Sequence, residues 1–548
     1  MRRPIIVGLV VVLVLMLGPS ARPARAQHDD HGGGAPRAEK LGKVHFDNSC
    51  SPALGPEFDR AMALLHSFEF AGAIASYQTV LKTDASCGIA EWGIAMATWG
   101  NPFAGLRAPN VLQSGLAASE RAQKTGAKTE RERDYIGAVT LLYKDADRLD
   151  HRARTLAYEK AMEQIYKKYP KDLEAAAFYA LAVDQTAPPT DKTFANQLKA
   201  AAILERLFKL EPEHPGVTHY LIHSYDVPPL APRGLVYARR YANLAPDAPH
   251  ALHMPAHTFT RVGSWQESID TNIRSHDTAL KMKGTGEAMH AMDYMAYAYL
   301  QTAQDAAAKK VLDELEGLIV NGPPTGAAAG APGPAAGFPA AAIPARYMVE
   351  REAWSDAANL TVRPSNLPYI EAMTHFARAL GAARSGHPDA AKPAIARLIE
   401  LRDKEIEAKD EYWTTQVDIQ RQSAEAWVLW EQGDKAAALK AMALAADLEA
   451  TTEKSAVTPG PLAPARELYA EMLMANNEPA KALIAFETNL KKEPNRFKSV
   501  YGAGLAAERS GNTQKARTYY AQLVKICERG DTPERPPLTH ARAFTAKK

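Results

Sequence analysis

From Phe58 onward, apolar residues recur at helical spacing in runs of about 11–18 residues, separated by short Gly, Pro or Asp breaks. The alternation of β-branched residues that a half-buried strand needs is scarce, so the pattern predicts an all-α chain. The pattern also repeats. Ala482 and Phe486 lie four apart with Pro494 behind them; a shift of 34 residues meets Ala516 and Tyr520, with Gly504 and Gly511 in the preceding helix and turn. The same frame fits Ala73/Tyr77, Gly234/Ala238/Pro246, and Ser268/Asn272 after Gly263-Ser264-Trp265. Small residues recur where two helices of one unit cross closely, and an aromatic fills the gap between units. One such hairpin cannot bury its apolar face alone, so stacked neighbours must share a continuous core. The frame is weakest around 105–150 and 321–365.

A 548-residue chain is longer than one core normally organises, and repeated hairpins account for that length without several unrelated domains. Its front end reads as an address. Arg2 and Arg3 precede an apolar stretch from Ile5 to Leu17, and Ala24-Arg25-Ala26 forms a small-x-small cleavage site before Gln27. That order is a secretory signal peptide over 1–26, with an uncleaved anchor as the alternative, and it places the mature protein in the periplasm or outside the cell. No later segment reaches the length of a membrane span. Residues 27–44, with His28, His31 and Gly32–Gly34, read as a flexible His/Gly-rich tail, and 321–345 as a Pro/Ala/Gly-rich linker. These divide the array into an N-terminal lobe at 45–320 and a C-terminal lobe at 346–530, followed by a tail at 531–548.

The charge is nearly balanced, with 65 Lys and Arg against 63 Asp and Glu. The leader holds four arginines and no acid, so its removal leaves 61 against 63. Neither balance gives the basic footprint of a nucleic-acid binder. Three cysteines cannot build a disulfide-dense scaffold or a Cys-rich zinc array. Export permits disulfides, and Cys50 and Cys87 flank the first hairpin. A bridge between them is expected, the alternative being two buried thiols.

A 34-residue helical hairpin with this small/aromatic pattern resembles the tetratricopeptide repeat. In that family the first helix of each pair lines a concave groove, the usual ligand surface. Longer strings resemble exported bacterial tetratricopeptide repeat proteins: VHFDNSC (44–50), FDRAMALLHSFEFAGAI (58–74), EWGIAMATWGNPFAG (91–105), HYLIHSYDVPPLA (219–231), APDAPHALHMPAHTFTRVGSW (245–265), IPARY (343–347) and TPGPLAPARELY (458–469). HALHMPAHTF followed by His290 is more distantly similar to part of the eukaryotic tetratricopeptide repeat protein 38. The resemblance implies a superhelical α-solenoid and export. It implies no reaction.

The concentrated chemistry is histidine. His219 and His223 are four apart, as are His253 and His257, and the two pairs are offset by 34, one repeat. Spacing of four puts each pair on one helix face. His250 lies just upstream of the second pair, and aligning Ala296 with Ala256 sets His290 opposite His250 and Asp293 opposite His253. Asp226 lies one turn beyond His223. The expectation is a ligand groove of His219, His223, Asp226, His250, His253, His257, His290 and Asp293 on the concave wall, binding a protein, a peptide or a small polar ligand. The alternative is a transition-metal site for Zn²⁺ or Cu²⁺ built from His219, His223, His253 and His257, with hydrolysis there requiring Asp226 or Asp293 as base. No HExxH motif, Gly-rich phosphate loop or nucleophile triad accompanies it. Pro255 breaks a local rule between His253 and His257: either the helix starts near Met254 or it kinks. Trp92, Trp99 and His66 read as packed residues, and the His28-Asp29-Asp30-His31 segment as solvated tail.

Overall fold

Helix follows helix through the chain, and no strand occurs among the described residues, which in this computed structural model are 39–320 and 334–547. The expected leader at 1–26, the expected tail up to residue 38 and the 321–333 part of the expected linker lie outside them. Helices pair into antiparallel hairpins, for example Pro215–Ser224 with Ala231–Leu244, and these hairpins stack in chain order. The two members of a pair differ in burial. Every residue of Pro215–Ser224 is buried, whereas Ala231–Leu244 buries Gly234, Tyr237, Ala238 and Tyr241 and leaves Arg233, Arg239 and Arg240 outside. First helices therefore form an inner column, and second helices wrap it with one apolar stripe each.

The repeat signature has a packing cause. Ala73, Ala238, Ala482 and Ala516 are fully buried at helix crossings. Between units, the aromatic lies directly over a glycine of the next first helix: a Cβ at Gly93 would sit 2.3 Å from the Tyr77 ring, and one at Gly502 equally close to Phe486. No larger residue fits at either position.

The array winds tightly enough to meet itself. Helix Gly55–His66 packs on Pro215–Ser224, four hairpins later, and Thr285–Gln301 packs on Phe497–Arg509. The Trp265 indole N–H donates to the Asn495 carbonyl (2.9 Å), and the Phe497 amide to Gln301 Oε1 (2.9 Å). From Lys40 on, the chain is one compact unit, so the two expected lobes are halves of a single body.

Three expected boundaries change. Within the expected linker, 334–345 belongs to a helix, Pro334–Glu350, with Ala341, Ala342, Ile343 and Ala345 buried despite Pro339 and Pro344. Alanine is the strongest helix former and small enough to let neighbouring helices close in. The expected tail at 531–548 contains helix Pro536–Ala546, whose Leu538 and Ala541 complete the terminal core. Residues 40–44 are pinned, with Leu41 buried and the Lys43 amide donating to the Glu213 carbonyl (2.9 Å). Cys50 and Cys87 form a disulfide, with Cα atoms 5.0 Å apart, and Cys527 is a buried free thiol. No helix among the described residues is long and apolar enough to cross a membrane.

Candidate functional site: a buried histidine cluster

Three successive first helices carry the site: two supply the paired histidines, and the third, Thr285–Gln301, supplies His290. The first, Pro215–Ser224, is fixed at its N-terminus by His214, whose Nδ1 accepts from the Val217 amide. The second is kinked. Helix Pro249–His253 passes through Met254, whose φ and ψ of −52° and −36° stay helical, into Pro255–Arg261. Because the kink preserves helical phase, His253 and His257 remain on one face.

The six histidines come together as two triads. Ligand nitrogens of His219, His223 and His250 lie within 4.8 Å of one another, and so do those of His253, His257 and His290. Each triad is an i,i+4 pair plus one histidine from the following first helix. The expected four-residue set is thus divided: His219 and His223 belong to one triad, His253 and His257 to the other. Within each pair the Nε2 atoms face each other at 3.1 Å. The triads adjoin, with the His223 and His257 ring centres 5.9 Å apart.

Hydrogen bonds fix the tautomers. Asn272 Nδ2 donates to the Ser268 carbonyl (2.7 Å), which turns Asn272 Oδ1 toward His253, so His253 Nδ1–H donates to it (2.7 Å). His257 Nδ1–H donates to Asp226 Oδ2 (2.9 Å), and His219 Nδ1–H to the His66 carbonyl (2.7 Å). In each ring the Nε2 lone pair is left facing inward. Asp226 is kept ionised. Burial would raise its pKa, but Lys454, Arg261 and His257 together hold it well below the usual carboxylate range. Burial and neighbouring imidazoles favour the neutral form of five rings: His257 is pushed down to about 4 and His290 to about 3, and His219, His223 and His253 also fall well below the ordinary value. His250 Nε2 and His290 Nδ1 are buried without a hydrogen bond among the described residues. His250 Nδ1 lies 3.7 Å from Glu287.

The cluster is not an open wall. Exposure of the six histidines runs from 0% to 8%. Phe68 covers His219 (ring centres 4.3 Å apart), Phe103 stacks on His223 (4.3 Å), and Tyr294 packs edge-on against His253 (4.6 Å). Lys454 closes the far side through Asp226 (3.2 Å). The groove expected at these positions is filled by the chain itself, because the superhelix winds so tightly.

The two acids have other work. Asp293, expected opposite His253, pairs with Arg346 (3.1 Å) deep in the interior, both side chains fully buried. Asp226 touches the site only as the partner of His257. His66 belongs to a third group with Glu174 and His214, and that group is fully satisfied. Glu174 accepts from His66 (2.8 Å) and His214 (2.9 Å), while His66 Nδ1 accepts from the Tyr220 hydroxyl (2.9 Å). Trp92 and Trp99 are buried in the core, as their spacing suggests. Sequence reasoning missed Asn272, Lys454 and Glu287. Asn272 alone had a signal: it occupies the slot filled by Tyr77, Phe486 and Tyr520 in other units, where a polar residue is out of place.

No protein-family profile matches this chain, and no curated protein does. Among solved structures it is similar to the human IFIT1 dimer with m7Gppp-AAAA, at 13% identity over 80% of this chain and 90% of that one, with a TM-score of 0.36. It is also similar to the APC/C hetero-tetramer Cut9-Hcn1 (12% identity, 93% and 79%, TM-score 0.34) and to yeast Tom70 (13%, 90% and 96%, TM-score 0.26). Likeness at this level says nothing of ligand or partner. With its own hairpin stacking and first helices starting 34 residues apart at Pro215 and Pro249, the chain is an all-α solenoid of the tetratricopeptide-repeat type.

Proposed function

We propose that this protein binds transition-metal cations, Zn²⁺ or copper, in its buried histidine cluster, with His253, His257 and His290 as the principal ligands and His219, His223 and His250 as a second set one repeat away. One observation carries the reading. The Nε2 atoms of His253 and His257 face each other at 3.1 Å while both Nδ1 protons are already donated to Asn272 and Asp226. Two neutral imidazoles so arranged oppose lone pair to lone pair, and burial disfavours an added proton. A cation between them removes the conflict. Nitrogens bound about 2.0–2.1 Å from one tetrahedral zinc lie about 3.3 Å apart, close to this separation. Oxygen acceptors behind each ligand, holding tautomer and ring orientation, are the usual outer shell of a metal-binding histidine. An all-imidazole set suits zinc and copper better than calcium or magnesium.

The role is binding rather than hydrolysis, since neither acid is free to act as base: Asp293 is committed to Arg346, and Asp226 to His257, Arg261 and Lys454. Export to an oxidising compartment fits the Cys50–Cys87 bridge. The test is elemental analysis of untagged protein purified after growth in metal-replete medium. At least one equivalent of zinc or copper is expected, falling sharply in a His253→Ala/His257→Ala double variant. Less than about 0.1 equivalent in the unaltered protein, or the same content in the variant, overturns the proposal.

A further inference from the structure

Beyond Lys454, on the side away from the histidines, residues of the C-terminal half line a cavity of about 70 Å³. Three cationic side chains line it, and each is already committed. Arg346 pairs with Asp293 and donates to the Gly460 and Pro461 carbonyls. Lys454 donates to Asp226, and Lys492 to the Glu449 and Thr452 carbonyls (3.3 and 2.8 Å). Some of the acceptor oxygens have no such partner. Glu493 is 5% exposed and lines the cavity with a carboxylate that makes no direct hydrogen bond or ion pair among the described residues, with the charges of Arg261, Arg496, Lys492 and Lys454 acting on it from further off. Gln420 Oε1 and Glu453 Oε2 are buried and accept no hydrogen bond among the described residues, although Glu453 is held by Lys192 through Oε1 (2.9 Å) and lies 3.7 Å from Arg261 Nη1 through Oε2. Trp413 and Tyr412 supply aromatic walls. The cavity thus presents two buried oxygens without a hydrogen bond, a buried carboxylate without an ion pair and two aromatic rings, while its three cationic side chains are each paired elsewhere.

We propose that this cavity is a binding site for a small organic cation, an ammonium or guanidinium group that donates to Glu493, Gln420 and Glu453 against the aromatic wall. An alcohol of the same size offers one donor and no charge, and a carboxylate offers a charge of the wrong sign. The site is independent of the histidine reading, because none of these acceptors touches a histidine of the cluster. Ethylammonium and guanidinium, titrated at millimolar concentration into the full-length protein and followed by saturation-transfer NMR, are expected to bind saturably, whereas ethanol and acetate are not. Glu493→Gln should weaken ethylammonium binding at least tenfold with the circular-dichroism melt retained. Should that variant fail to fold, Gln420→Leu, which removes one acceptor and keeps the carboxylate, is expected to weaken binding three- to tenfold. Equal binding of ethanol or acetate, or unchanged ethylammonium affinity in the variant that folds, overturns the proposal.

Discussion

Replacing His257 with Gln separates a metal ligand from an ordinary buried hydrogen-bonding residue. In the metal-free protein, His253 Nε2 faces a second lone pair at 3.1 Å. A Gln at 257 brings an amide N–H to that position and gives His253 a donor. Removing an unpaired buried acceptor is worth about 1–3 kcal/mol. The change also removes the His257 bond to Asp226, but Asp226 keeps Arg261 at 2.8 Å and Lys454 at 3.2 Å. The ring's packing on Tyr294 is lost, so the gain is partly offset. Without metal, His257→Gln should lie within about 1 kcal/mol of the unaltered protein or be more stable.

With metal the sign reverses. A ligand present at a hundred times its Kd stabilises the folded state by about 2.7 kcal/mol. His257→Gln leaves two imidazoles in the triad and forfeits most of that stabilisation. The assay is urea unfolding of both proteins, once with excess zinc and once with a strong chelator. The expected result is a destabilisation near 2–3 kcal/mol with zinc that disappears or inverts with chelator. If the variant loses the same stability under both conditions, or zinc fails to shift the midpoint of the unaltered protein, the pair is a structural contact and the reasoning fails.

Three further outcomes follow from the same geometry. Asn272→Ala removes the acceptor that fixes the His253 tautomer and should weaken zinc binding about 10- to 100-fold in a competition titration with a chromophoric chelator; a change under twofold would count against the assignment. Asp293→Asn leaves Arg346 buried without its carboxylate and should cost about 3–5 kcal/mol in denaturant unfolding with metal content unaltered, whereas metal loss would place Asp293 in the site after all. Asp184 is pushed up by burial from 3.8 to about 7, so the folded state holds its proton more tightly than the unfolded one. Stability should therefore fall as pH rises through that window, by roughly 4 kcal/mol in total, and Asp184→Asn should flatten the dependence measured by thermal unfolding at pH 5 and pH 8.

What was legible in the sequence is what depends on local period. Pairs four apart and offset by 34 residues put His219/His223 and His253/His257 on matching faces, and the small/aromatic pattern described how hairpins stack. What was not legible depends on superhelical winding. His250 joins the first pair only because the next helix crosses at a particular angle, and Asp293, aligned with His253 by repeat position, turns instead toward Arg346. Burial was equally invisible, since the cover comes from Phe68 and Phe103 far upstream and Lys454 far downstream. The 334–345 segment misled for a different reason: its prolines suggested a linker, while its alanines are what the neighbouring helices pack against.

The two triads differ in a way that bears on how such a site works. His219 has its Nδ1 proton tied to the His66 carbonyl, but no acceptor holds His223 Nδ1 among the described residues, so His223 Nε2–H is free to donate to His219 Nε2. The first pair can thus satisfy itself as a hydrogen bond when empty. The second cannot, because Asn272 and Asp226 claim both of its Nδ1 protons. An identical pair spacing, copied one repeat along, therefore gives one set at rest without a cation and one whose lone pairs oppose each other, with only the Tyr294 hydroxyl, 3.4 Å from His257 Nε2, to relieve them. The difference is made by the residues behind the rings, where an aromatic slot became Asn272 and a helix end supplied Asp226. Because burial in a tightly wound solenoid shields those lone pairs from water, the proposed metal site rests on the second triad more than on the first.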